Sequence, residues 1–269
     1  MIPAMLSAPE TSVASAPAVY DGFAVTHYVS ALRTANAFTV PYSQLTAAIP
    51  RHPTDTPQWL TRPHTGAPRK CIIYLEPRRT TPLYAAIERF FALSSLQFGP
   101  TEAHMYHPHS SMTGFIELPP EGGAELVARI AAHLDALITP ALLPLPTLVA
   151  VNTARDYPHQ GTHKIEAKLD TPAVFRDIVG TMQKLVPEAR IRPKKIGHVS
   201  LAYYNKHVRT ENRIDENAAD IHALAHTLLD PLIGSQADNK WDIAFYELAL
   251  ESTALHIPHR FNEIARWHL

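Results

Sequence analysis

The sequence predicts an α+β protein with two lobes related by a pseudo-twofold. Each lobe is built of strand-helix-strand units, with a central groove between two antiparallel sheets. Three observations lead there. Short apolar runs of strand length alternate with longer stretches of helical period across residues 69–252. A Thr-Pro pair stands ahead of a helical stretch twice, at Thr81-Pro82 and at Thr171-Pro172. A His-x-Ser-apolar string follows each pair at nearly equal distance: 27 positions, from 82 to 109, and 26 positions, from 172 to 198. Recurrence at a fixed spacing is the mark of a duplicated unit.

Residues 1–68 read as a Pro-rich, partly irregular N-terminal extension. Ala, Pro and Ser dominate its first 19 residues. Val25, Tyr28, Val29 and Leu32 have helical spacing, and Pro50, Pro53, Pro57, Pro63 and Pro68 exclude regular structure. Trp59 either anchors this stretch to the body or lies in an exposed linker. The first lobe, 69–153, opens with a strand over 71–75. A helix follows, with Thr81 as N-cap and Pro82 at its first position. The first motif strand is expected over 109–118. Pro119-Pro120-Glu121-Gly122-Gly123 breaks the chain before a helix over 124–138, and a strand over 148–151 ends the lobe.

The second lobe, 154–252, starts with an alternating strand over 163–169. Thr171-Pro172 caps a helix whose apolar stripe is Val174, Phe175, Ile178, Val179, Met182, Leu185 and Val186. The second motif strand spans 196–204, a helix spans 216–229, and an alternating strand spans 241–250. The tail, 253–269, packs on the domain and adds a short helix over 262–267.

The formal net charge is −1, from 24 Lys and Arg against 25 Asp and Glu. That excludes binding of nucleic acid through a broad basic face and leaves room only for a local patch. Cys71 is the single cysteine, so no intramolecular disulfide forms and a reducing compartment is favoured. No apolar run is long enough to cross a bilayer, and no secretion signal is apparent at the start. The expectation is a monomer in the cytosol or nucleus that engages no membrane.

In a strand, residues i and i+2 face the same side. His109 and Ser111 therefore point together, as do His198 and Ser200. Thr113 shares the first parity and Tyr204 the second, which makes both candidates for the groove; for Tyr204, core packing is an equal alternative. Tyr203 falls on the opposite parity and packs behind its strand. Arg190, Arg192, Lys194 and Lys195 precede the second motif, where they either attract a phosphate, with Lys195 as a groove candidate, or form a solvated loop. Arg78 and Arg79 stand similarly before the first cap. His104, His107 and His109 cluster, as do His256 and His259. With one cysteine and no His-Glu-x-x-His string, the chain lacks the common metal-site patterns, and no metal or other cofactor is required.

The strings His109-Ser110-Ser111-Met112 and His198-Val199-Ser200-Leu201 resemble the paired His-x-Thr/Ser-apolar motifs of the 2H phosphoesterase superfamily. That group includes cyclic nucleotide phosphodiesterases, LigT-like enzymes and RNA 3′-end trimming enzymes. The resemblance covers about residues 69–252 and leaves the first 68 without a counterpart. Both hydroxyl positions hold Ser where many members hold Thr, which keeps the hydroxyl. The resemblance implies a metal-independent hydrolase acting on a cyclic phosphate, on a 2′,3′-cyclic nucleotide or an RNA end. His109 and His198 would serve as general acid and base, and Ser111 and Ser200 would bind the phosphate. A small metabolite such as ADP-ribose cyclic phosphate is an alternative substrate, and a silent nucleotide or RNA-end binding module an alternative role. The near-symmetric strings do not assign acid and base.

Overall fold

The computed structural model describes residues 69–156, 162–203, 214–235, 239–255 and 257–269. The expected extension over 1–68, with Trp59, and the groove candidate Tyr204 lie outside them. In chain order the main elements are β1 (Lys70–Pro77), α1 (Pro82–Phe98), β2 (Ser110–Ser111), β3 (Ile116–Glu117), α2 (Gly123–Leu137), β4 (Thr147–Asp156), β5 (Thr162–Asp170), α3 (Val174–Leu185), β6 (His198–Ala202), α4 (Ile214–Leu229), β7 (Trp241–Leu250) and β8 (Arg260–His268). They form two antiparallel sheets. One has the order β2-β1-β7-β8 with β3 also paired to β1, and the other has the order β4-β5-β6.

Local chemistry explains α1. Thr81 is its N-cap, its hydroxyl accepting the Tyr84 N–H, and Pro82 takes a position where no N–H is needed. The helix ends at Gly99, whose φ of 86° favours glycine and whose N–H donates to Ser95. Leu83, Ile87, Phe90 and Phe91 make its buried stripe. The second Thr-Pro pair behaves differently. Phe175 N–H bonds the Pro172 carbonyl in a turn, and α3 begins only at Val174. Thr171 thus stands too early to cap, and its buried hydroxyl has no hydrogen-bond partner among the described residues.

One apolar core joins both sheets, with Ile73, Leu75, Ile243 and Phe245 from the first and Ile165, Ala167, Val199 and Leu201 from the second. The helices enclose it: α4 packs on β4, β5 and α1, and α2 packs on α3. The first sheet is buried on its other face too, where Ile72, Tyr74, Ala244, Tyr246 and Phe261 form a second apolar layer with Tyr106 and Phe115 against it. This second layer is the floor of the site.

The sheets correct four expectations. They do not follow a lobe boundary between 153 and 154: β4 pairs with β5, while β7 and β8 return to β1. The tail holds a strand, not a helix. β8 pairs along β7 from Asp242↔His268 to Leu250↔Arg260, which satisfies a row of backbone groups that β7 would otherwise leave open. The first motif strand is also discontinuous. Met112 and Thr113 both direct N–H groups at the Ile73 carbonyl, and the chain then crosses to the other motif segment. There Gly114 N–H donates to the Arg192 carbonyl at 2.8 Å and Lys194 N–H donates to the Met112 carbonyl at 3.0 Å. This seam ties the two motif regions together. The second motif strand is shorter than expected and ends at Ala202.

Candidate active site

His109 enters the site just before β2. Its Nδ1 lies 2.8 Å from the His107 carbonyl, which only accepts, so Nδ1 carries the proton and Nε2 the lone pair. Nε2 sits 3.2 Å from the Ser111 hydroxyl. The ring stacks on Tyr74, with centroids 3.8 Å apart and planes at 29°. Burial above all, then the neighbouring His107, lowers the His109 pKa to about 3. The imidazole is therefore neutral at neutral pH and is formed as a proton acceptor.

A cavity of about 470 Å³ opens beside it, within the range of small-molecule sites. His109, Ser111 and Thr113 from the first motif line it, with Ser200 from the second. Thr113 has a structural duty as well, because its fully buried hydroxyl accepts the Ile73 N–H at 3.1 Å and holds the strand where the seam begins. Arg192 and Lys194 supply positive charge at the wall. Lys195, the residue expected in the groove, is exposed and does not line the cavity. The backbone explains the change: 192–194 pairs with 112–114 across the seam, and Lys195 follows beyond that pairing. Tyr203 also departs from expectation. β6 ends one residue before it, so strand parity no longer governs it, and it lines the cavity with Tyr106 and Phe115.

His198 shares a face of β6 with Ser200 but is not among the residues lining the cavity. Its field acts on His109, which puts the two imidazoles within electrostatic reach. On β5, Lys164 and Glu166 occupy the same face, and Glu166 is the cross-strand partner of Ser200. Lys164 Nζ lies 2.8 Å from His198 Nε2. An ammonium only donates, so His198 Nε2 accepts here. Glu166 Oε2 lies 3.5 Å from Lys164 Nζ and 4.0 Å from His198 Nε2.

Behind His109 runs a buried charged network. Glu76 receives His107 Nε2 at 2.5 Å, the Tyr246 hydroxyl at 3.2 Å and Arg266 Nη1 at 3.0 Å. Arg266 also reaches Asp242, as do Arg78 and His268. The network fixes the His107 backbone whose carbonyl orients His109. It also gives Arg78 a structural partner in place of the substrate phosphate. Two other clustered histidines have partners of their own: His104 Nδ1 accepts the Thr101 N–H and its Nε2 meets Ser94, while His259 Nδ1 accepts the Ser252 N–H; His256 lies outside the described residues.

Sequence reasoning brought His109, Ser111 and Ser200 forward but missed Lys164, Glu166 and Glu76. The signal for Glu76 was an acid closing an apolar strand with a His-Pro-His string downstream. Lys164 and Glu166 show a lysine and a glutamate on one strand face, a pattern indistinguishable from an ordinary solvated edge.

No protein-family model matches the chain, and no curated protein matches it by sequence. Among solved structures it is similar to E. coli LigT. The LigT complex with NADP+ aligns at 12% identity over 76% of this chain and 99% of that chain, with a TM-score of 0.42. The LigT complex with 3′-AMP aligns at 12% identity over 75% and 98%, with a TM-score of 0.40. A phosphoesterase structure aligns at 9% identity over 75% and 99%, also with a TM-score of 0.40. The likeness concerns the fold; the chemistry is argued from the side chains above.

Proposed function

We propose that this chain is a metal-independent phosphodiesterase that opens a cyclic phosphate, with the two motif segments acting as copies of one ancestral unit. The observation that carries the reading is that Ser111 and Ser200, from different sheets, line one cavity with a neutral His109 whose Nε2 is an acceptor. In this reading His109 takes a proton from the attacking water and His198 supplies one to the leaving ribose oxygen. Ser111 and Ser200 donate to the non-bridging oxygens, where negative charge grows. Arg192 and Lys194 draw the anion in.

Lys164 sets the state of His198. While its ammonium donates to Nε2, that nitrogen cannot donate a proton. An arriving phosphate anion competes for the ammonium; once Lys164 turns to a phosphate oxygen, Nε2 takes a proton from solvent and serves as the acid. The aromatic wall of Tyr106, Phe115 and Tyr203 favours a nucleotide, because a base stacks on such faces.

The test is turnover of 2′,3′-cyclic nucleotides, cyclic-phosphate RNA ends and ADP-ribose cyclic phosphate by the protein and its variants. His109→Ala and His198→Ala are each expected to lower turnover at least ~10²-fold on the preferred substrate. Near-normal hydrolysis by either variant would remove that histidine from the mechanism, and no turnover of any member of the panel by the unaltered protein would defeat the reading as a whole.

A further inference from the structure

On the opposite face of the second sheet from His198, α4 carries His222 and His226 one turn apart. Their Nε2 atoms lie 3.2 Å from one another, with ring centroids 4.3 Å apart and planes at 84°. Each ring is anchored by its other nitrogen. His226 Nδ1 lies 2.8 and 2.9 Å from the two Asp230 carboxylate oxygens, which accept its N–H. The His222 ring bonds the Val151 backbone, and with Nε2 turned to His226 the nitrogen that does so is Nδ1. Both protons of the neutral rings are thus committed at Nδ1, and two Nε2 lone pairs converge.

Two lone pairs at that distance repel unless something positive stands between them. A proton does this by making one ring an imidazolium; a metal ion does it by accepting both pairs. Two features fit the metal. Nitrogens 3.2 Å apart, at bonds of about 2.05 Å, subtend roughly 100° at the ion, close to a tetrahedral angle. A carboxylate holding the far N–H of a ligating histidine is the usual outer support of such sites, and it raises the donor strength of the ring.

We propose that His222 and His226 chelate a divalent transition-metal ion of the zinc, nickel or copper kind, with Asp230 and the Val151 carbonyl setting the ring tautomers. Among the described residues no group of three or more His, Cys, Asp or Glu could hold a metal ion, so the pair supplies two ligands and water completes the shell. The site lies apart from the cavity, joins successive turns of α4 and does not depend on the proposed phosphodiesterase.

The chain has 16 histidines, so the experiment is a difference measurement. The full-length protein and its His222→Ala/His226→Ala variant are titrated calorimetrically with Zn2+ and Ni2+, with helix content checked by circular dichroism. The unaltered protein is expected to show one binding event that the double variant lacks. Asp230→Asn is expected to retain that event with affinity lowered at least ~10-fold. Identical isotherms for protein and double variant would overturn the proposal, as would absence of binding by the unaltered protein; the pair would then be bridged by a proton.

Discussion

At His109, the His107 carbonyl, the Tyr74 ring and the surrounding burial all act in one direction: they keep Nδ1 protonated and Nε2 bare. Protonation of Nε2 would silence a base, and the free-protein pKa of about 3 places that loss far on the acid side. The acid limb of kcat/KM, which reports the free protein, should therefore fall only well below pH 5, at about the lowered pKa. A bound phosphate anion next to Nε2 raises that pKa, so the acid limb of kcat should lie at higher pH than that of kcat/KM. Steady-state rates on a cyclic nucleotide across the acid range would check both limbs; coincident limbs near the usual histidine value would count against His109 as base. This much of the site was legible in the sequence because His109 and Ser111 lie two residues apart, and local spacing fixes their relation. The pairing of His198 with Lys164 was not, because it depends on the β5–β6 register, and no local pattern states which residues of two strands stand opposite one another.

Among the elements, the two Thr-Pro pairs offer a matched comparison. Thr81 accepts the Tyr84 N–H and donates to the Arg78 carbonyl, so Thr81→Ala should cost about 1 kcal/mol of stability. Thr171 has a buried hydroxyl without a partner among the described residues, so the isosteric Thr171→Val should be neutral or stabilising. Urea denaturation of both variants would check the contrast. Equal losses would mean that both residues cap. Identical dipeptides thus read alike in sequence but differ in structure, since a cap is decided by where the first helical residue falls. The strand β7 was legible over its full length, Trp241–Leu250, because it is strongly apolar. β8 read as a helix because only one long edge pairs and its burial is irregular: Phe261 and Trp267 are buried while most positions between them are half-buried or exposed. The break at Met112 was invisible for a different reason. Thr113, Gly114 and Phe115 suit a strand, and only contacts from the distant 192–194 segment pull them away.

Over the whole molecule, the two sheets share one core and the seam couples their motif regions, so the site is assembled by the same contacts that hold the fold together. The charged network shows the coupling most directly, since Glu76 comes from β1, His107 from the approach to β2, Asp242 and Tyr246 from β7, and Arg266 from β8. Removing Glu76 leaves Arg266 and His107 buried with lost partners. Glu76→Ala should therefore cost about 3–5 kcal/mol, far above a surface substitution, read as a lowered denaturation midpoint. An unchanged midpoint would show that the remaining acids and solvent absorb the loss. No helix among the described residues is long and apolar enough to cross a membrane.

The return of β7 and β8 to β1 also imposes a timetable on synthesis. β4, β5 and β6 leave the ribosome in succession and pair with their neighbours in sequence, so the second sheet can close early. β1 emerges before them, yet its long partner arrives only with β7, and the outer edge of β7 waits in turn for β8. During that interval the short strands β2 and β3 cover one edge of β1, while the other edge of this mostly apolar strand stays open and invites pairing with another nascent chain. The strand that carries Tyr74 and Glu76 beneath the site is thus also a stretch that a chaperone would shield until β7 has been made.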